Sequence, residues 1–313
     1  MKTFLKRTVR VLIGLFVVLN IIAAVHAYNF THFYDDPSLK RPNKDDMSFG
    51  QKVGAIFLGV KSPKSVNQIL PTVKYETVHL TTKDNLKLEG WHIRTTSSKG
   101  TVLLFHGHGS CKSKILDEAM YFYSLHYNVF LLDFRAHGGS EGESCTIGAK
   151  EGEDVKLAFD YIRNSGEKNI VLWGISLGAA AIAKSVNDYN IEPQRIILEM
   201  PFGSLLEAVK SRVRIMGLPS EPVSSLLTFW GGVEQGFWAF DHCPSEYVKK
   251  IKCPVLLQWG THDGRVSKEE TQEIFENIQS PKKFVPYSYS AHQSLYAKES
   301  EKWKTAVKEF LEN

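Results

Sequence analysis

Cysteine is scarce in this chain, and the few present follow no pattern. Cys111, Cys145, Cys243 and Cys253 form neither a C-x-x-C pair nor a zinc-ligand spacing. An even number permits disulfides in an exported protein without requiring them, and a domain of this size needs no such staples, so free thiols are expected. Excess charge is lacking too. The formal +4 of the 313 residues sits in Lys2, Lys6, Arg7 and Arg10, with no acid among the first ten residues. The rest is neutral, and a neutral body without a basic stripe argues against nucleic acid as a partner. There is no internal repeat and no low-complexity tract, so the length holds one large α/β domain or two small ones. His106 and His108 suggest a metal pair, but neither H-x-H-x-D nor H-E-x-x-H completes it. No metal and no other cofactor is expected.

What the chain does have, directly after its basic start, is an uncharged apolar run from Val11 to Ala27. It reads as a membrane-targeting segment rather than part of the fold. Two forms stay open. A signal peptide would be cut after Ala27, with Val25 and Ala27 as the small-residue determinants. An uncleaved anchor would cross the hydrocarbon, which takes about 17–25 residues, with Tyr28, Phe30, Phe33 and Tyr34 as an aromatic interface belt. The anchor is the favoured form. In either case the positive-inside rule keeps Lys2 to Arg10 in the cytoplasm and places the body on the extracytoplasmic side, secreted or periplasmic if cut. Residues 28–72 read as a juxtamembrane linker, charged and Pro-containing from Asp35 to Asp46. Phe49 to Val60 within it is mildly amphipathic and either packs on the body or lies on the bilayer. Asn29-Phe30-Thr31 is a formal glycosylation sequon, meaningful only in a eukaryotic secretory host.

Residues 73–313 form the body. Val73 to Thr82 and Leu86 to Thr95 alternate around Lys83-Asp84-Asn85 as a hairpin. Strand-like runs follow at Thr101–Phe105, Asn128–Asp133, Ile170–Trp173, Arg195–Glu199, Cys253–Gly260 and Lys283–Tyr289. Helical spacing fills the gaps, from Lys112 to His126, Glu151 to Ser165, Leu177 to Lys184, Lys268 to Gln279 and Ser294 to Leu311. Strands alternating with helices mean an α/β fold, with a mostly parallel, eight-stranded sheet covered on both faces. Met200 to Lys250 breaks the rhythm.

The chemistry gathers at Gly174-Ile175-Ser176-Leu177-Gly178, a G-x-S-x-G match between a strand and a helix. A strand that turns at once into a helix holds its corner residue in strain, and only small neighbours leave room for it. The corner exposes the Ser176 hydroxyl and leaves the first helix amides beside it to receive negative charge. A serine hydroxyl needs a base, and the base needs an acid behind it. Asp263, after the Cys253–Gly260 strand, and His292, after the Lys283–Tyr289 strand, meet the condition that such groups lie at the carboxyl ends of strands. Asp263 before Gly264 also suits a simple turn, and Glu199 is the alternative acid. His137 and His262 sit in the wrong slots for the base.

On these motifs the chain resembles the α/β-hydrolases, in the branch of lysophospholipase-like and serine-aminopeptidase-like enzymes, over roughly Val73 to Leu311. The order Ser176, Asp263, His292 is theirs, and Asp133-Phe-Arg-Ala-His-Gly-Gly-Ser140 matches their D-x-R-x-x-G-x-S loop. His106-Gly107-His108-Gly109 matches the loop that gives one oxyanion amide. The resemblance implies that His108 supplies it, that Leu177 supplies the second, and that residues from about 201 to 250 are a lid. It also implies a serine hydrolase for a small-molecule ester, lipid or peptide. An ester or thioester of an apolar acyl group fits the aromatic lid and the nearby membrane. A peptidase, an acyl transferase and a silent binding module are the alternatives.

Overall fold

A computed structural model describes residues 2–36, 38–39 and 48–312 of the protein. Much of the charged stretch read as a linker, residues 37 and 40–46, lies outside them.

The body is built on one eight-stranded sheet. The hairpin forms between β3 (Tyr75–Thr81) and β4 (Lys87–Ile93), in register from Tyr75 opposite Ile93 to Thr81 opposite Lys87. Asn85 turns the chain with φ 62°, a left-handed conformation that Asn tolerates better than most residues. β4 pairs antiparallel with β6 (Asn128–Leu132), and beyond that every pairing is parallel. The order is β10-β9-β8-β7-β5-β6-β4-β3, where β5 is Thr101–Phe105, β7 Ile170–Ile175, β8 Arg195–Glu199, β9 Val255–Gly260 and β10 Lys282–Tyr287. Every residue of β5 and β9 is buried, as expected of strands covered on both faces. Helices α3 (Leu116–Ser124), α4 (Glu151–Asn164), α5 (Leu177–Tyr189), α9 (Lys268–Asn277), α10 (Leu295–Lys298) and α11 (Ser300–Glu312) supply that cover. Because β5 lies between β6 and β7, the winding reverses there, and ligands of open α/β sheets bind in the crevice at such a point.

The segment that breaks the rhythm is helical. α6 (Leu205–Ile215) starts where the Ser204 side chain accepts from the Glu207 amide at 3.2 Å. α7 (Val223–Gln235) ends at Gly236, left-handed with φ 74°. A short α8 (Pro244–Tyr247) leads back to the sheet. His242 ties this region to the body, its Nε2–H donating to the Ile147 carbonyl at 3.0 Å.

The N-terminal run forms one helix, α1 (Lys2–Thr31), long and apolar enough to cross a membrane by length and composition. From Phe4 to Leu19 its apolar side chains are exposed, whereas Ala23, Ala27, Asn29 and Thr31 are buried. The buried face lies on α7, where Trp230 Nε1 donates to Asn20 Oδ1 at 3.1 Å and Gln235 Nε2 to Thr31 Oγ1 at 3.2 Å. Asn29 of the formal sequon is committed inside the fold, donating to the Leu58 carbonyl at 2.7 Å and accepting from the Tyr34 hydroxyl at 3.2 Å. A glycan has no room there. The amphipathic stretch forms α2 (Phe49–Leu58), started by a reciprocal Ser48–Gln51 capping box.

The described part of residues 28–72 is fastened to the body rather than spanning a gap. β1 (Phe33–Tyr34) pairs with β2 (Ser62–Pro63). The Phe33 amide donates to Glu143 O at 2.8 Å, Ser65 Oγ to Ser110 O at 2.5 Å, and Asn67 Nδ2 to Asp133 Oδ2 at 2.6 Å.

Candidate active site

At the end of β7 the chain turns into α5 through Ser176, which has φ 54° and ψ −111°. A β-carbon at Gly178 would stand 2.2 Å from the Phe105 carbonyl oxygen, and one at Gly174 2.6 Å from the Gly178 backbone. Glycine is therefore obligatory at both positions, and the strain at Ser176 is held by close packing of β7, α5 and β5. The Ser176 amide donates to Glu199 O at 2.7 Å, which fixes the corner to β8. As the first residue of α5, Leu177 has no helical acceptor for its own amide. The 106–109 loop crosses beside it; a β-carbon on Gly107 would lie 3.7 Å from that of Ser176.

His292 Nε2 lies 3.0 Å from Ser176 Oγ, and His292 Nδ1 2.7 Å from Asp263 Oδ2. The Asp263 side chain is fully buried. Its Oδ1 accepts the amides of Arg265 at 2.7 Å and Val266 at 3.0 Å. Asp263 thus forms the turn that its position before Gly264 suggested and still presents its second oxygen to the imidazole. Glu199, the alternative acid, does not reach His292. Its Oε1 accepts the indole N–H groups of Trp173 at 2.8 Å and Trp303 at 2.5 Å. Burial pushes its carboxyl up to about 8, so it is protonated at neutral pH. His262 stays on the exposed rim, its amide donating to Ser290 O at 3.0 Å.

Several positioning groups had no signal in the sequence. Ser294 Oγ donates to the buried Glu118 carboxylate at 2.5 Å and Ser290 Oγ to Glu299 Oε1 at 2.8 Å, so the loop bearing His292 is tied on both sides. Burial raises the Glu118 carboxyl to about 7. His106 and His137 serve the 106–109 loop as neutral struts. His106 Nδ1–H donates to Gly107 O at 2.8 Å while its Nε2 accepts from the Phe134 amide at 3.1 Å. His137 Nδ1–H donates to Arg135 O at 2.8 Å and its Nε2 accepts from the Gly109 amide at 3.0 Å. Burial lowers both, His137 to about 3. Among the described residues no group of three or more His, Cys, Asp or Glu side chains is arranged to hold a metal. The D-x-R-x-x-G-x-S loop is held by buried charge. The Asp133 carboxylate accepts from the buried Lys112 ammonium and from the Gly139 amide, and Arg135 pairs with Asp154 at 2.6 Å.

Above Ser176 opens a pocket with apolar walls from Ile147, Phe202, Leu205, Val209 and Val266. Ile147 holds φ 56°, an outlier for a β-branched residue, steadied through its carbonyl by His242. Of the lid aromatics expected over the site only Phe202 lines it; Trp230 serves α1, and Trp238 is exposed. Phe30 also lines the pocket, and Phe33 is buried against His108 and His137. Neither forms part of an interface belt.

A known structure has the same frame. The esterase Pf2001 of Pyrococcus furiosus superposes with a TM-score of 0.68 at 27% identity, covering 80% of this chain and 96% of its own. The chain belongs to the α/β-hydrolase superfamily. Residues 96–227 match the family described as Serine aminopeptidase, S33. The α/β-hydrolase is 25% identical over 233 residues to an uncharacterized protein of Bacillus subtilis, YqkD, covering 72% of this chain and 75% of that one. It is 26% identical over 233 residues to the lysophosphatidylserine lipase ABHD12 of Danio rerio, covering 66% and 57% respectively. On these likenesses the protein is a hydrolase.

Proposed function

We propose that the protein is a membrane-anchored serine esterase that cleaves a carboxylic ester or thioester of an apolar acyl group. The observation that carries this reading is the His292 imidazole bridging Ser176 Oγ at 3.0 Å and Asp263 Oδ2 at 2.7 Å beneath an apolar pocket. His292 Nε2 takes the Ser176 proton as Oγ attacks the acyl carbon. Nδ1–H stays bonded to Asp263, whose charge steadies the imidazolium. The negative oxygen of the tetrahedral intermediate sits on the amides of Leu177 and His108. Collapse breaks the bond to the leaving alcohol or thiol, which takes the proton from His292, and water then releases the acyl group by the same route. The lipase among its relatives and the structurally similar esterase support an ester substrate.

The anchor form of α1 is supported by the burial of Ala27 against α7, since a cut after Ala27 would fall inside a packed helix. With Lys2 to Arg10 in the cytoplasm, the catalytic body lies on the other side. A peptidase is the second reading, favoured by the serine aminopeptidase match. The deciding experiment offers p-nitrophenyl esters and aminoacyl p-nitroanilides to the full-length protein beside Ser176→Ala. Ester turnover that falls by about 10⁴-fold or more in the variant is the expected result. Turnover of the anilides alone would replace the esterase with the peptidase.

A further inference from the structure

Nothing in that mechanism uses a residue before His106, yet one pocket wall comes from the membrane helix. Phe30 stands in the last turn of α1, half-buried, on the pocket over Ser176. Its ring stacks on that of His108 with centroids 4.9 Å apart and planes 19° from parallel. The Arg212 guanidinium of α6 lies over the same ring, 4.5 Å from its centroid. The backbone around it is held on two sides. On one, the Cys145 amide donates to Thr31 O at 2.8 Å and the Phe33 amide to Glu143 O at 2.8 Å. On the other, α7 grips the helix through Gln235 and Trp230. A ring fixed in this way, with apolar side chains opposite, has a set position relative to the Ser176 hydroxyl.

We propose that Phe30 is a specificity-determining residue: the end of the anchor helix is one wall of the acyl site, and its ring limits the length of chain that fits over Ser176. The inference rests on the esterase reading and names the element that measures its substrate. Phe30 lies three residues beyond the apolar run, about 5 Å along the helix, so an acyl chain leaving the bilayer meets this ring on its way to the serine. A wall of this kind has a size-dependent signature. Removing the ring makes room for further methylenes, and a single methylene in an apolar pocket changes kcat/KM by about tenfold or more. Enlarging the ring takes that room away.

The test uses the full-length protein in lipid nanodiscs, with p-nitrophenyl esters from acetate to palmitate and the variants Phe30→Ala, Phe30→Leu and Phe30→Trp. The ratio of kcat/KM for long esters to that for acetate is expected to rise about tenfold or more in Phe30→Ala, to rise less in Phe30→Leu, and to fall in Phe30→Trp. Opposite shifts for smaller and larger side chains are not produced by loosened packing, which depresses every ester together. Parallel losses in all three variants, or an unchanged ratio, overturn the proposal. Trp230→Phe, which breaks the bond to Asn20 away from the pocket, is expected to leave the ratio as it was; a shift like that of Phe30→Ala would assign the effect to helix docking and also overturn it. A wild type that turns over no ester sinks the esterase reading and this inference with it. A wild type active on esters, with a ratio blind to position 30, sinks this inference alone.

Discussion

The Ser176 corner and the α1–lid contact sit on two sides of one pocket but are held together in different ways. At the corner, five consecutive residues and one neighbouring strand leave no alternative. Gly178 packs its backbone where a β-carbon would meet Phe105, and Ser176 has no freedom to relax from φ 54°. Across the pocket, α1 is placed by several separate contacts: the Cys145 amide on Thr31 O, Ala27 buried against α7, and side-chain bonds between residues about two hundred positions apart, Asn20 with Trp230 and Thr31 with Gln235. The first arrangement is steric and all-or-none. The second is a sum of modest terms, each worth about 1 kcal/mol. On the proposed reading, a hydrolase built this way would keep its reacting atoms rigid while the proposed acyl wall is adjustable by small changes.

The sharpest way to probe the rigid side is Asp263→Asn. The asparagine carbonyl oxygen can keep the Arg265 and Val266 amides, which leaves its NH2 group facing His292 Nδ1. That imidazole must then carry its proton on Nε2, the atom meant to accept from Ser176. The expected result is a fall in kcat of about 10⁴-fold with KM and thermal stability little changed. A fall of only tenfold in steady-state assays would mean that the buried carboxylate is a turn residue and nothing more.

Beneath the corner, Glu199→Gln asks whether the frame depends on a proton. Folded, the Glu199 carboxyl is raised to about 8 by burial; unfolded, a glutamate titrates near about 4.3. Between those values the folded protein keeps a proton that the unfolded chain releases, so this group's contribution to stability falls as pH rises through that window, by about 1.4 kcal/mol per pH unit. Glutamine mimics the protonated form at every pH. The two proteins should therefore differ little near pH 4, and the variant should gain on the wild type by about 2 kcal/mol between pH 6 and pH 8. Urea midpoints across that range measure it. Parallel curves would show that the carboxylate is ionised in the fold.

How far the sequence discloses these features follows from the same contrast. The alternation of short β-branched runs with amphipathic stretches announces the parallel sheet, and Asn85 marks the hairpin. Ser176, Asp263 and His292 are readable because each stands just past the end of a strand, where the topology brings chain segments together. Two helices are less regular than their spacing suggests. Residues 112–115 form a tighter 3₁₀ turn before α3, and the last helix is split at Glu299, whose carboxylate is used by Tyr289 and Ser290. Glu118 looks like any acid on a helix surface until Ser294, 176 residues away, closes over it. Phe30 follows an apolar run and so reads as part of a membrane interface. The packing of α1 on α7 and the backbone bonds to Cys145 and Glu143 carry it to His108, and no periodicity encodes those long-range pairings.

The adjustable side is best measured by a change that leaves the pocket alone. Gln235 is buried, and its Nε2 donates to Thr31 Oγ1 where α7 meets the end of α1. Gln235→Ala removes that bond and leaves Thr31 its own helix carbonyls, Ala27 O at 3.0 Å and Tyr28 O at 3.2 Å, so no buried hydroxyl is stranded. The cost is then that of one net hydrogen bond, about 1 kcal/mol, a shift of about 2 °C in melting temperature. Turnover of p-nitrophenyl acetate should stay within about twofold, since Ser176, His292 and Asp263 are fixed by other elements. A loss of activity well beyond that, at unchanged melting temperature, would mean that the corner feels the helix and that the two sides of the pocket are mechanically one.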